Sequence, residues 1–287
     1  MPDSPDACVI GLGLIGGSIA AALTQSQQYH TVTGWDIKAA AVQTALEQGY
    51  INQSAATLEE AVANADLIIL AVYIRAIIEC LHTIAPIVKD NALILDTGST
   101  KEKVVEAMNR LPERVCAVGG HPMAGQKTAH VSGIDASMFR DSVFVLTPTE
   151  RSNGDAMQRA QTVVSHLHAY PFTLDAVQHD HYVAIISHLV RVVPIAMAAT
   201  ATAADTGIAW KLAAGGFRES TREASEELTF WKDVFATNTS GLPKALREFS
   251  RQIEKFAELV ETGDLESIIE ASEQAKKAWL DRYGADS

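Results

Sequence analysis

The chain has 287 residues, a formal net charge of −12 and a hydrophobic share of 47%. This length accommodates two compact units, each with its own apolar core. The negative charge disfavours nucleic acid as a partner, because it repels polyanions. The most apolar stretch, residues 184–204, contains His188, Arg191 and Pro194. We therefore interpret it as a covered helix and predict no membrane span.

Cysteine usage and the first residues favour the cytoplasm. Cys8, Cys80 and Cys116 are odd in number, far apart and set in apolar surroundings, as is typical of buried thiols in a reducing compartment. Residues 1–7 contain Asp3 and Asp6 and lack the basic start of an export signal. Neither a CxxC pair nor a Cys/His cluster is present, so we predict no metal site.

The first part of the chain alternates strand and helix patterns. Predicted strands lie at residues 7–11, 31–35, 66–72, 92–96, 115–118 and 142–147, and predicted helices at about 17–28, 38–48, 76–84 and 101–110. Apolar strands separated by helices predict a doubly wound parallel sheet of the Rossmann type.

From about Gln178 the strand patterns stop and long helical stretches follow, at 180–204 and 242–283. We predict a dinucleotide-binding domain over 1–176 and an all-α domain over 177–287. A helix that is apolar on all sides needs cover on all sides, so we expect the helical domain to form a homodimer.

The string Gly11-Leu12-Gly13-Leu14-Ile15-Gly16 matches the GxGxxG pattern, follows a predicted strand and opens a predicted helix. Gly11 suits a tight turn, Gly13 a close approach to pyrophosphate, and Gly16 helix packing. Asp36 lies 20 residues beyond Gly16, at the end of the second strand, where a carboxylate binds ribose hydroxyls and repels a 2′-phosphate. NAD is therefore predicted over NADP, although Lys38 is close by. The predicted cofactor-binding residues are Gly11, Gly13, Leu14, Ile15, Gly16, Asp36, Val72 and Thr97.

Polar residues follow three predicted strands, where ligands collect in such sheets. They are the run 97–101 (TGSTK), the run 121–125 (HPMAG) and Pro148. A histidine at a strand end, with an ordinary pKa of about 6.5, suits proton transfer beside a nicotinamide. His121 is the predicted catalytic base, and a core histidine is the alternative.

The strings GLGLIGGS, DTGSTK, GGHPMAG, SGID, ISHL and GGFRESTR occur in this order over nearly the whole chain. Their order resembles that of the prephenate and arogenate dehydrogenases of tyrosine biosynthesis. The resemblance implies a Rossmann-type domain followed by an all-α dimerisation domain like that of 6-phosphogluconate dehydrogenase. It also implies oxidative decarboxylation of a cyclohexadienol, with hydride transfer to NAD(P)+.

The resemblance also implies residue roles. His121 would take the ring hydroxyl proton, Ser99 would fix that hydroxyl and the histidine, and Arg222 would hold the ring carboxylate, unless it is a surface arginine paired with Glu219 or Glu226. The further substrate-binding residues that it implies are Gln126, Lys127, Ser187, His188, Arg191, Gly215 and Gly216.

Two departures from the family pattern bear on the substrate. Arg191 stands where many members have a second histidine, and no acid follows the HPMAG string, where Gln126 and Lys127 occur. An ammonium, as in arogenate, would need a carboxylate nearby, and these departures add positive charge instead. We therefore predict prephenate, with an arogenate or dual-specificity enzyme as the alternative. Specificity would stay undecided if Lys127 faced solvent and Arg191 paired with an acid of a partner subunit.

Two other functions compete with this one. A non-catalytic NAD-binding sensor would keep the fold without turnover. A β-hydroxy-acid dehydrogenase would use a lysine of the helical half as base, and Lys211 and Lys232 are its candidates, although neither lies in a recognisable motif.

Overall fold

The computed structural model describes residues 4–124, 133–204, 207–225 and 228–283. The strands are β1 (Ala7–Ile10), β2 (Val32–Trp35), β3 (Gln53–Ser54), β4 (Leu67–Leu70), β5 (Leu93–Asp96), β6 (Cys116–Pro122), β7 (Val143–Thr147) and β8 (Tyr170–Thr173). The helices beside them are α1 (Leu14–Ser26), α2 (Ala39–Glu47), α3 (Leu58–Val62), α4 (Ile74–Ile84), α5 (Glu102–Met108) and α6 (Gly154–His166). The later helices are α7 (Ala176–Val183), α8 (Leu189–Ala204), α9 (Ala209–Leu212), α10 (Gly215–Ser220), α11 (Leu228–Thr237), α12 (Leu242–Thr262) and α13 (Leu265–Tyr283).

The eight strands form one sheet in the order β3-β2-β1-β4-β5-β6-β7-β8. Strands β1 to β6 are parallel neighbours, and β1 lies between β2 and β4. The chain moves outward from β1 on one side and returns to β4 on the other, so the order reverses between these two strands. Ligands bind at such a switch point, outside the carboxyl ends of the strands. The Rossmann-type sheet is as predicted.

Both faces of the sheet are buried, which explains the continuous apolar runs of its strands. In β1, Ala7 and Val9 join one core cluster, while Cys8 and Ile10 join the other, because successive side chains point to opposite faces. Burial raises the pKa of the Cys8 thiol to about 12. The three cysteines form no disulfide: Cys8 and Cys116 are buried, and Cys80 is half-buried.

The sheet departs from the all-parallel prediction at one edge. Strand β6 is longer than the predicted 115–118, and its second half pairs antiparallel with β7, placing His121 opposite Val145. The carboxyl end of β7 therefore points away from the ends of β1 to β6, so Pro148 is not part of the crevice. Strand β8, parallel to β7, and helix α6, which is capped by the Asn153 side chain, were missing from the prediction.

Described elements after β8 are all helical. Helices α7 and α8 are joined by a π-helical turn, Ala184–His188, in which the Leu189 N–H donates to the Ala184 carbonyl oxygen. Such turns are frequent at functional sites. The predicted helix over 242–283 is broken at Gly263, whose positive φ of 76° ends α12.

The helical half packs back onto the sheet through α11. Its residues Phe230, Trp231 and Val234 join the core cluster that covers α4 and β4. At the end of the same helix, Thr237 Oγ1 lies 2.7 Å from Thr100 Oγ1. These contacts bring residues of the helical half to the carboxyl ends of β4 and β5.

One helical run, Ala176–Ala204, is long and apolar enough to cross a membrane by length and composition alone, a test that the core helix of a soluble protein also passes. It contains the buried polar residues His188 and Arg191, and 28% of its most apolar window is buried within the chain. Its exposed apolar side chains include Ile185, Ile186 and Val190. Within the described part of this chain, no other element covers this face, which is where we predicted that a partner subunit packs.

Candidate functional site

In the turn after β1, two positions require glycine, each for a different steric reason. Gly11 has a φ of +88°, and a Cβ there would lie 2.5 Å from the Ala71 carbonyl oxygen. A Cβ on Gly16 would lie 1.8 Å from the Gly11 carbonyl oxygen, so only glycine lets α1 approach the strand. A Cβ on Gly13 would contact nothing within 4 Å. The open space at Gly13 fits the close approach of a phosphate group.

Asp36 ties the end of β2 to this turn. Its Oδ2 accepts a hydrogen bond from the Leu12 N–H at 2.8 Å, and its Oδ1 accepts one from the Lys38 N–H at 2.8 Å. Helix α1 begins at Leu14 without a side-chain cap, and the first N–H groups of a helix have no partner within it. The N–H groups of Leu14 and Ile15 are therefore suited to bind an anion.

Val72 and Thr97 follow β4 and β5, the two strands beside β1 on its other side. A Cβ on Gly11 would lie 2.6 Å from Val72 Cγ1, and the Thr97 N–H donates to the Leu70 carbonyl oxygen at 3.1 Å. Both residues are half-buried at the carboxyl edge of the sheet. All eight predicted cofactor-binding residues thus lie in or beside the turn, or at the ends of β2, β4 and β5.

A buried ion pair fixes the backbone between β5 and β6. The Lys101 ammonium donates to Asp96 Oδ2 and, at 2.6 Å, to the Gly120 carbonyl oxygen. Asp96 Oδ1 in turn accepts from the Gly120 N–H at 2.9 Å. Both side chains of the pair are fully buried. The pair therefore joins the segment that carries Ser99 to the strand that carries His121.

The Ser99 hydroxyl is a buried polar group that has an unfilled hydrogen-bonding capacity. Its oxygen is inaccessible to solvent and makes no hydrogen bond within the described part of the chain. A buried hydroxyl without a partner costs free energy, and each such group in a native protein calls for an explanation. A bound ligand that hydrogen-bonds Ser99 would supply the missing partner.

His121 lies near the end of β6, with its backbone held by β7. Its Nδ1 lies 2.9 Å from Nε2 of His179 in helix α7. The pKa of His121 is well below its ordinary value of 6.5, mainly because burial penalises the cation and further because His179, Lys101 and His188 lie nearby. A histidine with a lowered pKa is neutral at pH 7, the form that accepts a proton.

His188, at the end of the π turn, is buried and has a second orienting contact. The Asn238 Nδ2–H group donates to the Asp180 carbonyl oxygen at 2.7 Å and lies 3.2 Å from His188 Nδ1. Since Nδ1 accepts from the amide, Nε2 carries the proton of the neutral ring. Burial lowers the pKa of His188 to about 4, against the opposing effect of Asp180. His188 is thus a neutral hydrogen-bond donor at pH 7.

A cluster of charges lies on the far side of His188. The Trp231 ring contacts the His188 ring edge-on and lies 5.2 Å below the Arg191 guanidinium. Arg191 pairs with Glu223 at 3.2 Å, and Glu223 pairs with Arg222 at 2.7 Å. Two guanidinium groups therefore share the Glu223 carboxylate, and a guanidinium group has the planar geometry that matches a carboxylate.

Arg191 and Glu223 also line a cavity of about 200 Å³. Its lining residues are Ile186, Ser187, Val190, Arg191, Glu223 and Trp231. A larger cavity of about 380 Å³ lies at the amino-terminal edge of the sheet, beside Ala7 and Thr31. The smaller cavity is the better candidate, because it adjoins the residues described above and ligands bind at the other edge of the sheet.

The remaining residues predicted to bind substrate are exposed or lie outside the described part of the chain. Arg222 is exposed by 57% and also contacts Glu219 at 3.4 Å, one of the two pairings considered for a surface arginine. Gly215 and Gly216 are exposed at the start of α10, and a Cβ on either would contact nothing in the chain. Gln126 and Lys127 lie outside the described residues.

Sequence reasoning included Asp96 and Lys101 in a strand-end motif but assigned them no role. It missed His179, Asp180, Glu223, Trp231 and Asn238 as residues of this site. The available signal was the His179-Asp180 pair at the start of an apolar helix, because charged residues there are rarely buried without a partner. Within the described ranges, no group of three or more His, Cys, Asp or Glu side chains is placed to hold a metal ion.

Comparisons with known proteins agree over nearly the full length. The family model for the nucleotide-binding domain of prephenate dehydrogenase matches residues 19–170, and the model for the dimerization domain of prephenate dehydrogenase matches residues 175–274. The prephenate dehydrogenase of Bacillus subtilis is 30% identical over 93% of this chain and 73% of its own length. That of Lactococcus lactis is 32% identical over 94% of this chain and 75% of its own length.

Solved structures have the same fold. Prephenate dehydrogenase from Aquifex aeolicus, in complex with hydroxyphenyl propionate and NAD+, superposes with a TM-score of 0.87 at 24% identity, over 97% of this chain and 98% of that one. Arogenate dehydrogenase from Synechocystis gives a TM-score of 0.83 at 25% identity, over 96% and 99%. With both family models matched in order, this chain is an enzyme that belongs to the prephenate dehydrogenase family.

Proposed function

We propose that this enzyme oxidatively decarboxylates prephenate to 4-hydroxyphenylpyruvate, with NAD+ as hydride acceptor, in tyrosine biosynthesis. The observation that carries the proposal is His121, a histidine with a lowered pKa on the strand beside the one that leads to the buried Ser99 hydroxyl. Both lie at the edge of the sheet where the glycine turn opens α1.

The glycine turn and Asp36 would hold the dinucleotide. Pyrophosphate would lie against Gly13 and accept hydrogen bonds from the first N–H groups of α1, while Asp36 would accept from the ribose hydroxyls. Asp36 already accepts one backbone N–H on each oxygen, and each carboxylate oxygen has capacity for a further bond. The NAD+ in the Aquifex aeolicus structure supports this assignment. The nicotinamide supplies the hydride acceptor.

His121 would take the proton of the substrate ring hydroxyl. The free Ser99 hydroxyl would hydrogen-bond the same oxygen and keep it within reach of the imidazole. His188, with its proton on Nε2, is suited to donate a hydrogen bond to an anionic substrate without adding charge. Loss of the ring carboxylate as carbon dioxide makes the ring aromatic, which makes the reaction favourable.

Carboxylate recognition is assigned to the arginines of the helical half. Arg222 would bind the ring carboxylate by a charge-assisted contact, and its exposure leaves room for that contact. Arg191 would favour the keto-acid side chain of prephenate over the amino-acid side chain of arogenate, because its charge repels an ammonium. The alternative is an arogenate or dual-specificity enzyme, and Glu223 is the group that would support it.

Substrate preference can be measured directly. We expect a larger kcat/KM with prephenate than with arogenate when NADH absorbance is followed at matched NAD+. Arg191→Gln should reduce this ratio about tenfold or more, since a hydrogen bond to a charged group contributes about 1.5–3 kcal/mol. Lys232→Gln, an exposed cation on α11, is the control and should leave the ratio unchanged. Equal rates with both substrates in the parent enzyme would contradict the prephenate assignment.

The glycine turn allows binding to be separated from folding. Gly13→Ala should keep the parent thermal midpoint but weaken NAD+ binding, because the added methyl group occupies open space that the pyrophosphate needs. Gly16→Ala should lower both, since its Cβ collides with the Gly11 carbonyl oxygen. Calorimetric titration with NAD+ and thermal unfolding measure the two effects. Unchanged NAD+ affinity in Gly13→Ala would refute this placement of the pyrophosphate.

We further propose that the enzyme is a cytoplasmic homodimer. The uncovered apolar face of Ala176–Ala204 supports a partner of the same kind, because soluble proteins rarely leave large apolar patches exposed. The match to a dimerization-domain model supports the same assignment. Light scattering on the purified protein without detergent should give twice the chain mass of 30.8 kDa. The unpaired cysteines suit a reducing compartment.

The two competing functions have less support. A sensor without turnover would leave the buried Ser99 hydroxyl and the neutral His121 unexplained. A lysine base in the helical half has two candidates, Lys211 and Lys232, and both are exposed. A catalytic lysine is usually shielded from water so that its pKa falls toward neutrality.

A further inference from the structure

We propose that His179 and Asp180 are positioning residues that hold His121 in the tautomer with the proton on Nδ1, leaving the Nε2 lone pair for the substrate. The inference deepens the proposed function and rests on it, because it explains how the assigned base is kept in its reactive form. It starts from a continuous chain of three side chains: His121, His179 and Asp180.

The chain begins at a buried carboxylate. Asp180 Oδ1 accepts hydrogen bonds from the Lys101 N–H at 2.6 Å and from His179 Nδ1 at 2.7 Å, and Oδ2 accepts from the Glu102 N–H at 2.9 Å. Asp180 therefore caps the first turn of α5 while it holds the neighbouring imidazole. Three N–H groups donate to its two oxygens, so the Asp180 carboxylate acts here only as an acceptor.

The proton positions follow from this carboxylate. Because Asp180 only accepts, Nδ1 of His179 must carry a proton. In a neutral ring, Nε2 of His179 is then an acceptor. It lies 2.9 Å from Nδ1 of His121, so that nitrogen must donate. The remaining nitrogen of His121, Nε2, keeps its lone pair and is the basic atom.

The same contacts would stabilise the product of the proton transfer. When the substrate O–H bond breaks, its electron pair stays on oxygen and the proton forms a new bond to Nε2 of His121. The ring then carries a positive charge, with Nδ1–H still donating to His179. Asp180 supplies the compensating negative charge through His179. Hydrogen bonds to charged groups are stronger than those between neutral ones, so the chain favours the charged state.

The geometry is rigid on both sides of the chain. His121 is held in β6, and His179 and Asp180 are almost fully buried at the junction of α5 and α7. Asn238, which follows α11, donates to the Asp180 carbonyl oxygen and also contacts His188 Nδ1. His121 and His188 thereby carry opposite tautomers, one a proton acceptor and the other a donor.

Three variants and one spectrum test the proposal. His179→Gln retains an oxygen that can accept from His121 Nδ1–H, whereas His179→Leu retains no acceptor. His181→Leu is the matched control, because His181 is exposed two residues further along the same helix. We expect kcat to fall about 100-fold or more in His179→Leu, within the range that general-base catalysis contributes, and at most about tenfold in His179→Gln. KM should change little in either variant.

The tautomer itself is read by nitrogen-15 NMR of histidine-labelled protein, with signals assigned through His121→Asn and His179→Gln. We expect protonated Nδ1 on both His121 and His179 in the parent and in His181→Leu. This measurement requires no turnover, so it stands apart from the proposed function and remains informative if His179→Leu does not fold. A proton on Nε2 of His121 in the parent, equal losses of kcat in the two His179 variants, or a loss confined to KM would overturn the proposal.

Discussion

Lys101→Met is expected to destabilise the fold by about 3–5 kcal/mol, the cost of leaving one partner of a buried ion pair uncompensated. Methionine keeps most of the side-chain volume but removes the ammonium, so Asp96 stays buried without its counter-charge. The Gly120 carbonyl oxygen also loses its donor. Urea unfolding, followed by tryptophan fluorescence, measures the difference in the free energy of unfolding.

Two further variants separate the charge from the packing. Asp96→Asn combined with Lys101→Met removes both charges and should recover much of the lost stability, because the buried carboxylate is gone. Lys103→Met removes the exposed pair with Glu106 on the same helix and should leave stability unchanged. If Lys101→Met were as stable as Lys103→Met, the buried pair would not have the role that we assign to it.

His121→Asn is expected to lower kcat by about 10²- to 10⁴-fold, the usual contribution of a general base, and to leave NAD+ affinity unchanged. Asparagine cannot take the hydroxyl proton at neutral pH, and the glycine turn that we assign to NAD+ lies on a different strand. Steady-state NADH production and calorimetric titration with NAD+ measure the two quantities. Turnover that survives the substitution would show that another group is the base.

The pH profile gives an independent check on the same residue. The base must be neutral to act, and burial together with His179, Lys101 and His188 keeps the pKa of His121 well below 6.5. Activity should therefore be retained as the pH falls from 8 to 6.5 and should be lost only below that value. The profile of kcat/KM reports the free enzyme, in which this pKa applies. An acid limb centred above pH 6.5 would contradict the assigned environment of His121.

Sequence patterns predicted the structure correctly where the physical constraint acts within one short segment. Gly11 and Gly16 occur in the pattern that a tight turn and a close helix require, and the structure gives each of them the predicted steric role. The apolar runs of β1, β4 and β5 predicted a sheet buried on both faces. Such signals work because the constraint acts within a few residues.

Predictions failed where pairing between distant segments decides the outcome. The sequence gives no sign that β7 runs antiparallel to β6, since an apolar run reads the same in either direction. The strand that carries His121 is extended by that pairing alone. Gly263, which ends α12, was overlooked because a single glycine is tolerated within helices and ends one only when its backbone turns left-handed.

The amino-acid sequence by itself determined the Rossmann-type sheet, the glycine turn, the helical second half and the resemblance that the family models confirm. Only the tertiary structure decided which polar side chains meet. Asp180 contacts the start of α5, 79 positions away in the sequence, and is linked to His121 through His179. Asn238 in turn links Asp180 to His188. Such contacts cannot be read from local patterns, because burial creates the need for a partner and only the packing of distant elements determines which partner is in reach.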